Sequence, residues 1–217
     1  MNFESKYLIR WGIPGWVLIF WVVYYYFVLR GIDTMGINVK DGTKVITTVI
    51  SLTALGVPIG YLLHQLYFVA LWIFNKSTRK QLDNSVKEVT NFPYFKDGDN
   101  KNIWGNNTSD DYYQFEYVWH KVLLDKESEI RSYWEARYRH LLSTIHGLGS
   151  LFASLIVSLI ASAGILSFQT IHFSVSFYLI FGIVIQALLF ISVTFNYVYY
   201  SNNLKALQTK IMKEHYK

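Results

Sequence analysis

Asp, Glu, Lys and Arg are absent from three long stretches of this chain, Trp11–Leu29, Val45–Asn75 and His140–Leu204. The second is 31 residues long and the third 65. A helix needs about 20 predominantly apolar residues to cross the ~30 Å hydrocarbon layer of a bilayer. The first two runs therefore supply one crossing each, and the third, folded once, supplies two. The expected fold class is all-α: four transmembrane helices in two hairpins, with helical extensions outside the membrane.

Composition agrees. Charged residues make up 16% of the 217, against about 25% in a soluble domain. Cysteine is absent, which excludes disulfides, thiol redox chemistry and Cys-zinc sites. The first apolar run is too long for a cleavable signal peptide, and Trp and Tyr crowd the place of a small-residue cleavage site. With the N-terminus inside, 17 Lys/Arg face the cytoplasm, and only Arg30, Lys40 and Lys44 lie outside. The positive-inside rule thus places both termini in the cytoplasm of a multi-pass protein of the cell inner (plasma) membrane. The net charge of +5 is largely this bias, because the stretch Lys76–Arg139 carries 11 basic and 11 acidic residues.

The expected segments are a first transmembrane hairpin over 1–75, a cytoplasmic region over 76–146, a second hairpin over 147–200 and a cytoplasmic tail over 201–217. Span one covers about Trp11–Leu29, with Pro14 in its opening turn, where proline forfeits no helical hydrogen bond. Span two covers about Val45–Phe74, and Leu82, Val86 and Val89 at helical spacing extend it to about Val89. Residues 91–111, rich in Asn, Asp and Gly, read as an irregular loop. From Tyr112 the pattern is helical again, either unbroken into span three or interrupted at Asp125 as an N-cap. Spans three and four cover about 147–168 and 175–200. The tail, with Leu204, Leu207 and Ile211 on one side and Lys205, Lys210 and Lys213 elsewhere, continues span four as a basic amphipathic helix. Each of these extensions has a narrow apolar stripe, and one copy is too small to bury the stripes well, which points to a homo-oligomer, a tetramer for instance.

Four groups of residues stand out. Ser150, Ser154, Ser158 and Ser162 recur every fourth residue in span three. Such a strip serves as a close helix–helix seam or as the wettable wall of a pore. His64 and Gln65 lie ~15 Å deep in span two, and Gln186 lies at similar depth in span four. Polar groups there need partners. They either form a plain interhelical bond, His64 to Gln186, or give His64 a proton-sensing or ion-coordinating role. Gly56, Pro58 and Gly60 make a static kink or a gating hinge. Finally, Trp104 and Trp119 belong to a small cytoplasmic core, or stack on a ligand whose charge meets Lys76, Arg79, Lys80, Lys121, Arg131, Arg137 and Arg139. Those cations suit anionic lipid headgroups equally.

No motif calls for a cofactor or metal. Asp97-Gly98-Asp99-Asn100 resembles a calcium loop in composition, but its Gly and the closing Glu are not at EF-hand positions. The spans contain no Asp or Glu of the kind that intramembrane hydrolases and pumps use, so an enzyme is not expected. Two functions remain: an ion channel or pore controlled from its cytoplasmic side, and a non-conducting sensor or scaffold that recruits a soluble partner. Short hairpins combined with a modest cytoplasmic region, Lys76–Arg139 and the Lys205–Lys217 tail, make the chain resemble the small multi-span membrane effectors of prokaryotic antiphage systems. That resemblance implies oligomerisation, membrane depolarisation on activation, and control by a nucleotide, an oligonucleotide or a protein signal.

Overall fold

The computed structural model of the chain describes residues 3–30, 42–73, 76–96, 98–99, 101–105, 107–167 and 177–217. These form six helices: α1 (Phe3–Arg30), α2 (Gly42–Ile73), α3 (Lys76–Lys87), α4 (Thr108–Leu124), α5 (Ser128–Ser167) and α6 (Phe177–His215). Among the described residues the only β pairing is an isolated bridge between Lys96 and Asn102. Helices α1, α2, α5 and α6 are each long and apolar enough to cross a membrane, and the chain is a multi-pass membrane protein. Residues 31–41, between spans one and two, and 168–176, between spans three and four, lie outside the described residues.

Two compact units emerge. The first comprises Met1–Val69 and His146–Tyr197, and the second comprises Ala70–Ile145 and Val198–Lys217. The first is built inside out, as lipid burial dictates. Leu62 is 61% exposed and Phe195 72%, whereas Trp21, Tyr25, Leu155 and Val193 form its core. The second has an ordinary apolar interior in which Leu82, Val86, Phe115, Val118, Trp119, Val122 and Met212 are buried.

Several boundaries differ from those expected. Helix α1 begins at Phe3, so Pro14 is interior rather than in the first turn, and it has no N–H to give the Arg10 carbonyl. Helix α2 is described to Ile73 and α3 over Lys76–Lys87, with residues 74–75 outside the described residues, and the helix ends two residues before the expected Val89. Val89 is nevertheless buried, its N–H turned back to the Val86 carbonyl at 3.0 Å. Helix α4 starts four residues before Tyr112. The Asn107 side chain accepts the Ser109 N–H at 3.0 Å, and Asp110 and Asp111 sit in the first turn, where the helix dipole favours them. Asn, Asp, Ser and Thr suit both loops and N-caps, so their run reads either way. The chain does break at Asp125, but this residue caps the C-terminus of α4 and not the N-terminus of α5.

Candidate functional site: a polar spine in the first unit

Helix geometry puts residues i and i+4 on one face about 6 Å apart along the axis. The serine strip of α5 uses that register to meet each other span in turn. Ser150 Oγ lies 2.6 Å from His64 Nδ1 of α2. Ser154 Oγ donates to the Pro14 carbonyl of α1 at 2.6 Å. Ser158 Oγ accepts from Gln186 Nε2 of α6 at 2.7 Å. Ser162 bonds within its own helix, to the Ser158 carbonyl at 2.7 Å. Ser154 and Ser158 have no exposed surface, and Ser150 and Ser162 are 2% and 8% exposed. The strip is thus buried within a single copy of the chain, its hydroxyls spent on neighbouring helices and carbonyls.

Each contact extends further. The Ser150 hydroxyl hydrogen goes to the His146 carbonyl at 2.8 Å, which leaves the His64 Nδ1–H as donor to Ser150 Oγ. The His64 and His146 rings stand 6.1 Å apart, both against Phe68. Tyr67 OH meets Tyr197 OH at 3.2 Å. The Gln186 Oε1 accepts from Tyr25 OH at 2.8 Å. His64 and Gln186 therefore each find a serine rather than one another. Their two serines stand eight residues apart on α5, about 12 Å along the axis, so a direct bond is out of reach.

Gly56, Pro58 and Gly60 sit in an unbroken stretch of α2. Gly56 and Gly60 are buried against α1. A Cβ on Gly60 would overlap the Trp11 carbonyl, one on Gly15 would overlap the Gly56 carbonyl, and one on Gly56 would overlap the Trp16 ring. The pair is a Gly-xxx-Gly motif that lets two backbones touch, a signal that was present in the sequence.

Helix α2 also has an outward stripe. Ser51, Ala54, Pro58, Tyr61 and Gln65 are all exposed at alternating three- and four-residue spacing. Gln65 lies six residues, about 9 Å, inside the end of the apolar window Ile50–Leu71. It makes no hydrogen bond with any described residue. On the same stripe Pro58 has no N–H to offer the Ala54 carbonyl.

The cations and indoles expected to form a ligand surface do not converge. Arg79 reaches the Gly105 carbonyl and lies 3.8 Å from Asp111, which itself accepts the Gly105 N–H at 2.8 Å and is 1% exposed. This latch holds Gly105 at φ 99°, where glycine is favoured. Trp104 Nε1 donates to Asp83 at 2.9 Å, and Trp119 is fully buried in the core. Arg139 pairs with Glu135 at 3.2 Å on the surface of α5. Lys80, Lys121 and Arg137 are separately exposed, Arg131 is half-buried, and the Lys76 side chain lies outside the described residues. A different carboxylate organises this unit. Glu116 accepts from Tyr138 OH at 2.7 Å and from Gln208 Nε2 at 3.1 Å, joining α4 to α5 and α6. Burial first, and the Glu116 charge second, push the Tyr112 and Tyr138 phenols above their ordinary 10.0.

Compared with known proteins, the chain matches no protein family, no curated protein and no solved structure.

Proposed function

We propose that the protein is a homo-oligomeric, ion-permeable pore of the cell membrane, with both termini and the second unit in the cytoplasm and the outward stripe of α2 from each copy facing the symmetry axis. Gln65 carries this reading. An amide with no partner costs several kcal/mol in hydrocarbon, and no described residue of its own chain supplies one. Water in a central pore, or the same amide on neighbouring copies, satisfies it. Ser51 and the Ala54 carbonyl add polar atoms to the same stripe, and backbone irregularity at membrane depth is tolerated where it lines a wet cavity. The positive-inside count supports the orientation. Helices α5 and α6 each carry residues of both units without a break, a route from a cytoplasmic signal to the spans. The architectural resemblance to antiphage effectors makes membrane depolarisation the expected output.

The buried serine strip favours a second reading, a non-conducting sensor or scaffold, because hydroxyls already bonded within one copy line nothing. Ion flux from liposomes containing the purified oligomer separates the two. The pore reading expects flux that Gln65→Leu alters while the oligomer persists. Absence of flux under every condition, with Gln65→Leu dissolving the oligomer, leaves the sensor and makes Gln65 an assembly contact.

A further inference from the structure

Helix α3 and the last turns of α6, both in the second unit, enclose a cleft of about 530 Å³. Ligand pockets run from ~300 to ~1,000 Å³. Its α3 wall presents Gln81, Asn84 and Ser85, neighbours on one helical face, and Glu88, in the turn directly after the helix, joins the lining. Its α6 wall presents Lys205, Thr209 and Lys213 at four-residue spacing, with Lys210 alongside. The lining therefore sets three ammonium groups against one carboxylate.

Lys210 and Lys213 are exposed near the C-terminus of α6, where the helix dipole favours cations in any case. Lys205 has no such explanation. It lies ten residues before the end of α6 and is only partly exposed. Among the described residues it has no ion-pair partner. Burial lowers its pKa, the mark of an ammonium held out of water without a compensating anion. A lysine stem ordinarily lets its head reach solvent. This one faces a cleft whose opposite wall offers the amides of Gln81 and Asn84, the Ser85 hydroxyl and a single carboxylate, Glu88.

We propose that this cleft binds a phosphate-bearing anion, with Lys205, Lys210 and Lys213 meeting the phosphate oxygens and the amides of Gln81 and Asn84 hydrogen-bonding the remainder of the group. The site does not depend on whether the spans conduct. The same phosphate chemistry comes from two sources, a soluble nucleotide or the headgroup of an anionic lipid, and Lys205 is the first charged residue after the uncharged run that ends at Leu204.

The full chain in phosphatidylcholine nanodiscs is titrated with ATP, and separately compared in phosphatidylglycerol nanodiscs, with thermal unfolding as the readout. Stabilisation by ATP assigns the soluble source, and stabilisation by phosphatidylglycerol alone assigns the headgroup. In either case Lys205→Gln with Lys213→Gln weakens the response by roughly tenfold or more per lysine, whereas Lys101→Gln, a lysine that does not line the cleft, leaves it intact. Asn84→Asp, on the exposed opposite wall, weakens the response independently by adding a like charge. The proposal is overturned if neither ATP nor phosphatidylglycerol stabilises the protein, or if the cleft variants respond as Lys101→Gln does.

Discussion

Replacing Ser154 measures how much of the first unit is held by the serine strip. Its hydroxyl has one partner, the Pro14 carbonyl at 2.6 Å, and the side chain has no exposed surface. Ser154→Ala removes that bond alone, and interhelical bonds in membranes average about 0.6 kcal/mol with a maximum near 1.7. Ser154→Leu removes it and forces a larger side chain into a filled contact, a further ~1–3 kcal/mol. The sum for Ser154→Leu is about 2–5 kcal/mol. Ser162→Ala is the internal control, since its hydroxyl bonds only a carbonyl of its own helix, and it should change stability least. Unfolding of the purified protein by titration into a denaturing detergent orders the three variants. A Ser154→Leu protein as stable as the wild type but unable to conduct would rule out this packing, because the hydroxyl would then face a lumen and not α1.

The same geometry sets two further outcomes. Gly60→Val drives a branched side chain into the Trp11 carbonyl and should cost about 1–3 kcal/mol or more, whereas Gly147→Ala, where an added Cβ meets nothing within 4 Å, should be silent in the same detergent titration. In the second unit, Tyr138 has its phenol raised by burial and then by Glu116, so the stability it contributes is complete below the ordinary value of 10.0 and is lost as pH climbs above it. Tyr138→Phe should be less stable than the wild type at neutral pH, and the gap between their melting temperatures should close in strongly alkaline buffer; a gap independent of pH contradicts the assignment.

The four spans were legible because lipid imposes a rule on every residue of a crossing, and a run without Asp, Glu, Lys or Arg shows it directly. The serine strip was legible as a helical face for the same reason. Its destination was not. Whether Ser154 meets a carbonyl of α1 or the lumen of an assembly depends on contacts between residues 140 positions apart, which no local period encodes. The expected His64–Gln186 bond failed because depth in the membrane ranks polar groups along one axis only and leaves the direction each side chain takes unspecified. Gly56 and Gly60 carried a packing motif that the intervening proline disguised as a hinge. The spacing of the tail lysines is visible in the sequence, but the wall opposite them comes from α3, more than a hundred residues earlier in the chain.

Because the chain contains no cysteine, single thiols report on one position at a time. The most direct measurement is the effect of a membrane-impermeant thiol reagent on ion flux through liposome-reconstituted Ser51→Cys and Ser154→Cys proteins. The α2-lined pore predicts that Ser51→Cys reacts and its flux falls, while Ser154→Cys, sealed against α1, does not react. Reaction and block at Ser154→Cys with an inert Ser51→Cys would place the aqueous path along α5 and contradict the account.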